Sequence, residues 1–342
     1  MRPDAVRRRR QAAARQDAPR PRADALRVGH PDPTLATATI FLMAIGLIFV
    51  YSAGIMRAEI AYNSTSHFLV RQMVAAAIGI GLMMFVSRVS SDWLENFTGV
   101  FGIVTLVLLM VVLIPGIGVK IAGARRWINL GPLGRFQPSE FARLAAVLLV
   151  AKYAARHGDE IRSAAGIAKA LVLPFVFAAL ILAEPDTDTG FTVLLIAGVI
   201  LFAAGIPWLY ILSLGALGLV GGTAVIMMAA YRMERILGFL NPYADMRGRG
   251  YHIVQGWTAM GSGGFFGKGL GASVLKFGFL PEAHTDFILA IIGEEGGFIT
   301  TSLIAVLFGV IVWRGYKIAL AQSDTYSRFV AVGITAMVTL QA

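Results

Sequence analysis

Residues 286–312 read DFILAIIGEEGGFITTSLIAVLFGVIV, an apolar run whose only charges after Asp286 are Glu294 and Glu295. Roughly 20 apolar residues are enough for an α-helix to cross the hydrocarbon core of a membrane. Eight further apolar runs lie near residues 36–53, 68–86, 98–115, 137–153, 168–183, 190–206, 208–230 and 328–342. Together the runs predict an all-α, polytopic helical membrane protein.

The composition supports a membrane protein and excludes several other classes. Of the 342 residues, 57% are hydrophobic and 15% are charged, and the mean hydropathy is +0.71. The chain has no cysteine, which excludes disulfides and thiol chemistry. Its five histidines show no HExxH spacing, so a protein-built zinc site is not expected. In so apolar a chain, the net charge of +10 does not indicate a nucleic-acid partner.

The N-terminal segment differs in composition from the rest of the chain. Nine arginines fall within the first 27 residues, and this Ala- and Pro-rich stretch is predicted to be disordered. The first apolar run lacks an obvious cleavage site, so we expect a retained helix rather than a signal peptide. We therefore expect a cytoplasmic tail at residues 1–34 and a membrane domain at residues 35–342. The last apolar run is short, which predicts that the chain ends inside a helix.

The charges between the apolar runs follow the positive-inside rule only in part. With a cytoplasmic N-terminus, the basic loops 154–167 and 313–327 face the cytoplasm, as the rule expects. The basic loops 116–136 and 231–285 then face outside, against the rule. Either one helix is miscounted, or these two loops form a basic external surface for an anionic ligand such as a diphosphate.

Residues 120–145, KIAGARRWINLGPLGRFQPSEFARLA, combine glycine and proline with charged and aromatic side chains. The glycines and prolines predict a shaped turn rather than a strand or helix before the next membrane run. Arg125 and Arg126 suit phosphate oxygens and Trp127 offers a flat face for a sugar ring or a lipid headgroup, but these residues also suit an interfacial anchor. Glu140 and Arg143 share a helical face, either as an ion pair or as the wall of a polar cavity.

Two further stretches leave alternatives open. Glu184, Asp186 and Asp188 lie close together in AEPDTDTGF (183–191). They either bind a divalent cation through oxygen ligands or cap the next helix. Glycine is dense between residues 256 and 278 but contains no GxxxxGK(S/T) match, so a P-loop is excluded. This stretch predicts short re-entrant or interfacial helices, with irregular backbone that lines a cavity.

Three acidic residues lie near the start of the apolar run 286–312, where charged side chains are costly in a membrane. Asp286 either caps the following helix, as Thr285 also can, or serves a reaction beside His284 where the basic loop meets the membrane. Glu294 and Glu295 follow eight and nine residues later, about 12–13 Å along a helix. They are too distant to form a carboxylate dyad with Asp286 through this helix, and we expect them to be buried and paired with Arg or Lys from another helix.

Five stretches occur in order along the chain: GARRWINLG (123–131), QPSEFARLA (137–145), FLNPYADMRGRGYH (239–252), GSGGFFGKGLGAS (261–273) and LPEAHTDFILAIIGEE (280–295). Together they resemble the SEDS family, which comprises FtsW, RodA and SpoVE. The stretches VYSAG (50–54) and PEAHTDF are more similar to the cell-division branch of the family than to its elongation branch.

The resemblance implies a fold and a function. Members of the family normally have ten spanning helices, so about nine are expected in this chain with the tenth missing. They polymerise lipid II into peptidoglycan glycan strands, together with a class B penicillin-binding protein that acts as the transpeptidase. The resemblance therefore implies a septal glycosyltransferase of the bacterial inner membrane. Its expected partners are lipid II, such a transpeptidase, other divisome proteins and membrane lipid.

The resemblance also implies site residues. Asp286 matches the family's essential aspartate and would be the general base for the acceptor 4-hydroxyl in an inverting transfer. The expected substrate-binding residues are Arg126, Trp127, Glu140, Arg143, Lys268, Lys276 and His284. The basic residues would offset the diphosphate charge, and a divalent cation, Mg²⁺ or Mn²⁺, would share that task. No metal-ligating residues are assigned.

Three features depart from the family pattern, and two other functions stay open. Arg143 stands where a lysine is usual, and EPDTDTG (184–190) displaces the glycine of a QPDxGT-like turn. By the resemblance, we expect this sequence to stop before the family's last external loop and helix. A lipid II flippase would use charged residues inside helices as its path. A scaffold that only recruits a penicillin-binding protein would not need a carboxylate at position 286.

Overall fold

The structure, a computed structural model, describes residues 31–342 apart from residues 122, 130, 132, 133, 229, 279, 281 and 282. The predicted N-terminal tail lies outside the described residues except at its last positions. The helices of the described part are α1 (Pro33–Tyr62), α2 (His67–Val86), α3 (Ser91–Leu113), α4 (Pro138–Arg156), α5 (Ala164–Ala183), α6 (Thr187–Ala203), α7 (Trp208–Met227), α8 (Ala230–Leu240), α9 (Tyr251–Ser262), α10 (Ile288–Ala321) and α11 (Thr325–Gln341). A three-stranded sheet consists of β1 (Gly118–Ile121), β2 (Ala124–Asn129) and β3 (Arg135–Phe136).

Every predicted apolar run forms a helix, which confirms the all-α class. In the part of the chain that the structure describes, six helices are long and apolar enough to cross a membrane: α1, α2, α3, α5, α7 and α10. The described residues form eleven helices in all, more than the nine apolar runs, because α8 and α9 lie inside the long loop 231–285. Neither is a long apolar run, so hydropathy alone does not detect them.

The sheet is a correction to the predicted turn at residues 120–145. β1 and β2 pair antiparallel, with Ile121 opposite Ala124 and Val119 opposite Trp127. β-branched and aromatic residues favour this pairing, and Gly123 has a φ of 87° at the hairpin turn. Glycine and proline lie in the turns between the strands here, so their presence does not exclude strands in the rest of the segment.

The last long helix also differs from its predicted bounds. α10 extends to Ala321, so the predicted loop 313–327 is mostly helical, and Arg314 and Lys317 lie on α10. Arg314 forms an ion pair with Asp32, whose side chain caps the start of α1. Because Arg314 has a partner at the end of the bundle, a charged residue there does not end the helix.

The core is built around α4, which packs against α3, α5, α6 and α11. Ala142, Ala145 and Ala146 are fully buried, and such small side chains let neighbouring helices approach closely. Two helices lie at the edge of the bundle. α2 has no buried residue, and the only buried residue of α7 is Gly222.

The helices α1 to α7 alternate in direction, so their connections gather at two ends of the bundle. The β1–β2 hairpin, the α5–α6 turn and α8 meet at one end, where they line a common cavity. We call this the hairpin end. At the opposite end, Arg156 pairs with Glu95 and Lys169 pairs with Glu160. The two unexpectedly basic loops therefore share the hairpin end.

Candidate functional site

A break in α10 shapes one side of the hairpin end. Gly297 has a φ of 68° and a ψ of −166°, which are not helical, so two hydrogen bonds within the helix are lost. The loop that precedes α10 replaces them with four backbone bonds. These run from Phe298 N to Gly264 O (2.9 Å), from Ile299 N to Phe265 O (3.2 Å), from Lys268 N to Glu294 O (2.9 Å) and from Gly269 N to Glu295 O (3.0 Å).

This contact explains the dense glycines of the loop. A Cβ atom at Gly263, Gly267 or Gly297 would overlap backbone atoms across the contact. Gly264 and Gly267 also have positive φ angles, which other residues rarely adopt. The prediction of short helices between residues 256 and 278 therefore holds only for the end of α9. Most of the stretch is a series of turns packed against a broken helix.

The two glutamates beside the break are buried and paired. Lys268 Nζ lies 2.7 Å from Glu294 Oε1, and Lys276 Nζ lies 2.9 Å from Glu295 Oε1. Their predicted burial and pairing are confirmed, but both cations come from the loop and not from another helix. The loop supplies them because its backbone already crosses the break. Lys268 and Lys276 were predicted to bind substrate, and the structure gives both a partner inside the protein.

Two serines complete this network, and sequence reasoning missed them. Ser52 Oγ on α1 lies 2.8 and 2.7 Å from the two carboxylate oxygens of Glu295. Ser273 donates through its hydroxyl to Glu294 at 2.6 Å and through its amide to Glu295 at 3.2 Å. The Lys276 side chain is 5% exposed, whereas that of Lys268 is 36% exposed. Of the two lysines, Lys268 is therefore the better placed to contact a ligand.

Asp286 lies in the turn that leads into α10, and its side chain is exposed. The N-cap residue of α10 is Phe287, so neither Thr285 nor Asp286 holds the N-cap position that the sequence suggested for them. Ring contacts hold the residues on either side of the carboxylate. His284 packs on Phe68 of α2 with ring centroids 4.8 Å apart, and Phe287 stacks on His252 at 5.9 Å.

The carboxylate of Asp286 accepts no hydrogen bond from the residues that the structure describes. Beside it, His284 lines a cavity of about 370 Å³ between the end of α1 and the loop, together with Arg57 and Lys276. The rest of the lining is mostly aliphatic. The turn therefore exposes the Asp286 carboxylate, which can accept hydrogen bonds or a proton, to solvent. It lies next to a cavity whose wall contains basic residues.

Arg126 attaches the β-hairpin to the α5–α6 turn. Its Nε and Nη2 atoms donate to the carbonyl oxygens of Glu184 at 3.3 Å and Pro185 at 2.5 Å. Its Nη1 atom lies 4.0 Å from Asp186 Oδ1. The Asp186 side chain accepts a hydrogen bond from Thr189 N and caps α6, which confirms the capping interpretation. Across the described ranges, no three His, Cys, Asp or Glu side chains are grouped to hold a metal ion.

Glu184 is the one carboxylate of this turn that is fully buried. Neither of its oxygens has a hydrogen-bond partner in the described part of the chain. Burial and the neighbouring Asp186 raise the pKa of Glu184 to about 8, against a smaller opposing effect of Arg126. At neutral pH this carboxyl is therefore mostly protonated, which lowers the cost of its burial.

The remaining predicted residues lie on β2 and at the start of α4. Trp127 is half-buried on β2 opposite Val119. Glu140 and Arg143 form an ion pair across one turn of α4, which confirms the pairing interpretation. The Arg143 side chain is 9% exposed and that of Glu140 is 50% exposed. Among described residues, the buried Arg143 Nε has no hydrogen-bond partner, and the Nη atoms face Glu140 and the side-chain amide of Gln341.

The structure thus gathers the predicted residues into two groups at the hairpin end. One group surrounds the hairpin and the start of α4, and the other surrounds the α10 break and Asp286. The start of α2 links them. Phe68 contacts His284, and the guanidinium of Arg71, one turn later, lies against Gly134 beside β3. Arg71 was not among the predicted site residues, because no motif marks it.

A family model described as "Cell cycle protein" and named for FtsW, RodA and SpoVE matches residues 33–342. The chain belongs to this family. The predicted SEDS membership is therefore confirmed, and the membrane-spanning helices agree with it. The two groups of residues at the hairpin end, including the break in α10, therefore belong to a protein with the SEDS fold.

Relatives of this SEDS protein include both sporulation and division proteins. Stage V sporulation protein E of Bacillus subtilis is 40% identical over 312 residues, which cover 91% of this chain and 85% of the relative. The probable peptidoglycan glycosyltransferase FtsW of Trichlorobacter lovleyi is 38% identical over 317 residues, or 92% of this chain and 83% of the relative. These relatives do not distinguish the predicted division role from a sporulation role.

Solved structures share the fold of this SEDS protein. A structure described as a peptidoglycan synthase complex that coordinates polymerization and crosslinking contains a chain that is 30% identical, with a TM-score of 0.72. The match covers 90% of this chain and 83% of that chain. The rod shape determining protein RodA of Thermus thermophilus matches with 26% identity and a TM-score of 0.62, over 90% of this chain and 81% of RodA.

Proposed function

We propose that this protein polymerises lipid II into glycan strands, with Asp286 as the general base. The observation that carries the proposal is the state of this carboxylate. It is exposed and unpaired among the described residues, and its turn is held by ring contacts on both sides. Relatives named as probable peptidoglycan glycosyltransferase FtsW support the reaction class. We propose a role in cell division for this protein from the same relatives.

The proposed reaction transfers a sugar from a lipid diphosphate to a hydroxyl group. Asp286 accepts the proton of the acceptor 4-hydroxyl while that oxygen forms a bond to C1 of the donor sugar. The C1–O bond to the diphosphate breaks, and the lipid diphosphate leaves with the electron pair. Attack opposite the leaving group inverts the configuration at C1. Because a diphosphate is already a good leaving group, one well-placed carboxylate is sufficient.

Cationic side chains at the hairpin end support the departure of the diphosphate. Arg143 forms an ion pair with the half-exposed Glu140, and Lys268 is partly exposed beside Glu294. We assign the diphosphate to these two and to Arg126, with Trp127 and His284 as sugar contacts. Lys276 has a structural role in this assignment, because its ammonium group is buried against Glu295.

A divalent cation, Mg²⁺ or Mn²⁺, is a separate proposal. The carboxylates near Arg126 do not fit it well. Asp186 is occupied as a helix cap, and Glu184 is buried with a raised pKa of about 8. The proposed mechanism therefore has no step through a metal ion. Polymerisation measured after chelation, and again after Mg²⁺ or Mn²⁺ is restored, tests the cation directly.

We also propose a class B penicillin-binding protein as partner, at the septum of the bacterial inner membrane. The support is the solved peptidoglycan synthase complex, described as coordinating polymerization and crosslinking, which contains a similar chain. A lysate pull-down is a weak test, so co-purification should use the transpeptidase encoded by the same organism. Stimulation of polymerisation by this protein would support the proposal, and no stimulation by any candidate transpeptidase would contradict it.

Glycan polymerisation from purified lipid II tests the proposed function. Wild-type protein with its transpeptidase should form polymer, and Asp286→Ala should form none while still binding the transpeptidase. Asp92→Ala is the matched control, since Asp92 is an exposed aspartate at the opposite end of the bundle. Undiminished polymer from Asp286→Ala would contradict the base assignment. Transport of lipid II between leaflets without polymerisation would instead favour a flippase.

A further inference from the structure

Two contacts between α1 and α10 mark levels that are about one membrane thickness apart. At the opposite end of the bundle, Asp32 forms an ion pair with Arg314. At the hairpin end, Ser52 Oγ lies 2.8 Å from Glu295 Oε1. Residues 32 to 52 of α1 and residues 295 to 314 of α10 each span about 28–30 Å at 1.5 Å per residue. This separation matches the roughly 30 Å thickness of a hydrocarbon core.

The charges along both helices agree with a membrane boundary at the Ser52–Glu295 level. Residues 33–56 of α1 and residues 296–313 of α10 carry no charged side chain. Beyond Ser52, exposed charged residues follow on α1 within two turns. The hydrocarbon core therefore ends near Ser52 and Glu295, and the part of α10 that precedes Glu295 extends beyond it.

The turn that crosses the break in α10, residues 263–269, lies just inside this boundary. We call it the bridging turn. Ile299 N donates to Phe265 O at 3.2 Å. Because Ile299 follows Glu295 by one helical turn, this bond places Phe265 about 6 Å inside the boundary. Phe265 is 70% exposed and Phe266 is 84% exposed, so the bridging turn presents two aromatic rings at a depth where the surroundings are hydrocarbon.

Polarity changes along the bridging turn in the direction that a membrane surface requires. The Phe265 ring lies 5.7 Å from the exposed ring of Phe298, on the uncharged part of α10. Lys268, later in the same turn, lies instead at the level of Glu294, with which it forms an ion pair. The apolar side chains are therefore on the hydrocarbon side of the boundary, and the charged side chain is at the boundary. Interfacial segments bury their apolar residues about 5–10 Å in this way.

We propose that the bridging turn is a membrane anchor, in which Phe265 and Phe266 insert among the acyl chains of phospholipids at the hairpin end. The occupant of this surface is lipid and not protein, because both rings lie on the hydrocarbon side of a boundary that α1 and α10 define without them. The four backbone hydrogen bonds across the break at Gly297 attach the anchor rigidly to α10.

The anchor fixes the height of Asp286 above the membrane, and this part of the inference rests on the proposed function. Asp286 precedes Glu295 by nine residues, so its carboxylate lies about 13 Å beyond the hydrocarbon boundary. The polar layer of one leaflet is about 5–7 Å thick. The anchored break therefore holds the carboxylate above the head groups, at the height of a sugar that is attached to a lipid diphosphate.

Because the chain has no cysteine, the depth of a single side chain can be measured with a nitroxide label. Phe266→Cys is labelled in the full-length protein and reconstituted in phosphatidylcholine vesicles. Electron paramagnetic resonance then measures how accessible the label is to oxygen and to a water-soluble nickel complex. Val306→Cys, on the exposed surface of α10 between the two levels, is the control for hydrocarbon. Arg247→Cys, exposed in the loop 231–285, is the control for water.

The label on Phe266→Cys should be accessible to oxygen and shielded from the nickel complex, at a depth of about 5–10 Å below the lipid phosphates. Accessibility to the nickel complex equal to that of Arg247→Cys would overturn the proposal. Shielding from both reagents would overturn it too, because the label would then lie against protein and not lipid.

Polymerisation in vesicles tests the effect of the anchor on Asp286. Phe266→Asp places a charge where insertion requires an apolar ring. It should slow polymerisation about threefold or more, because a displaced catalytic group loses rate. Phe202→Asp is the control, since Phe202 is 65% exposed at the end of α6, at the opposite end of the bundle. This control should stay within about twofold of the wild type. A wild-type rate in Phe266→Asp would refute the control of Asp286 by the anchor.

The depth and the polymerisation rate separate this inference from the proposed function. The expected depth of the label, in a protein whose wild-type form makes no polymer, would support the anchor and contradict the polymerase. Polymer from a protein whose label on Phe266→Cys is fully accessible to the nickel complex would support the polymerase and refute the anchor.

Discussion

Replacing Lys276 with methionine should destabilise the protein strongly, because it removes the cation of a buried ion pair. Lys276 Nζ lies 2.9 Å from Glu295 Oε1, and the two side chains are 5% and 0% exposed. In the variant, Glu295 keeps only its hydrogen bonds from Ser52 and from the amide of Ser273. Leaving one charge of such a pair buried without its partner costs about 3–5 kcal/mol.

Unfolding by SDS in mixed micelles measures this cost as a free energy of unfolding. The comparison needs Lys276→Met, Glu295→Gln and the double variant. Glutamine keeps the hydrogen bond to Ser52 but carries no charge, so the double variant should lose about 2 kcal/mol less than the sum of the single losses. Lys120→Met is the control, since Lys120 is exposed on β1 and should change stability by less than about 0.5 kcal/mol.

Two results would refute this reasoning. The first is a loss below about 1 kcal/mol for Lys276→Met, which is no more than an average substitution costs. The second is additive losses in the double variant, which would show that the two charges do not interact. Either result would leave Lys276 available to contact the substrate, as the sequence first indicated.

Two further predictions concern the α5–α6 turn and the α10 break. The pKa of Glu184 is raised to about 8 by burial and by Asp186, so the folded protein keeps a proton that the unfolded chain releases. The free energy of unfolding should therefore fall as pH rises from about 5 to 8; the slope should be smaller in Glu184→Gln, and equal slopes would contradict the raised pKa. Gly297→Ala should cost at least about 1–3 kcal/mol in the same unfolding assay, because φ is 68° there and the added Cβ would also overlap backbone atoms of the loop. Gly309→Ala on the same helix, where a Cβ meets nothing within 4 Å, should be neutral or slightly stabilising, and equal effects would contradict the break.

Most of the fold could be predicted from the sequence, because hydrocarbon requires long apolar helices and these leave a strong signal. The signal fails where helices are short or amphipathic. α8 combines Arg232 and Arg235 with apolar residues, and a hydropathy window averages these together. The sheet was missed for a different reason, since its strands are short and Gly123 is a turn residue inside a hairpin.

The candidate site could be predicted only in part. Glu294 and Glu295 lie in an apolar run, which predicts cationic partners for them, because buried carboxylates must be paired. Their partners, however, depend on how the loop crosses the break at Gly297, which is a tertiary contact without a local signal. Ser52 and Arg71 were missed for the same reason. Ordinary residues on distant helices become part of a site only through packing.

The most direct test of the central claim separates binding from chemistry at Asp286. Asp286→Asn keeps the size of the side chain but cannot accept the proton. It should bind lipid II with an affinity close to that of the wild type, and it should slow polymerisation at saturating lipid II about 10²–10⁴-fold. A rate within a few-fold of the wild type, in a variant shown to be folded and to bind lipid II, would contradict Asp286 as the base.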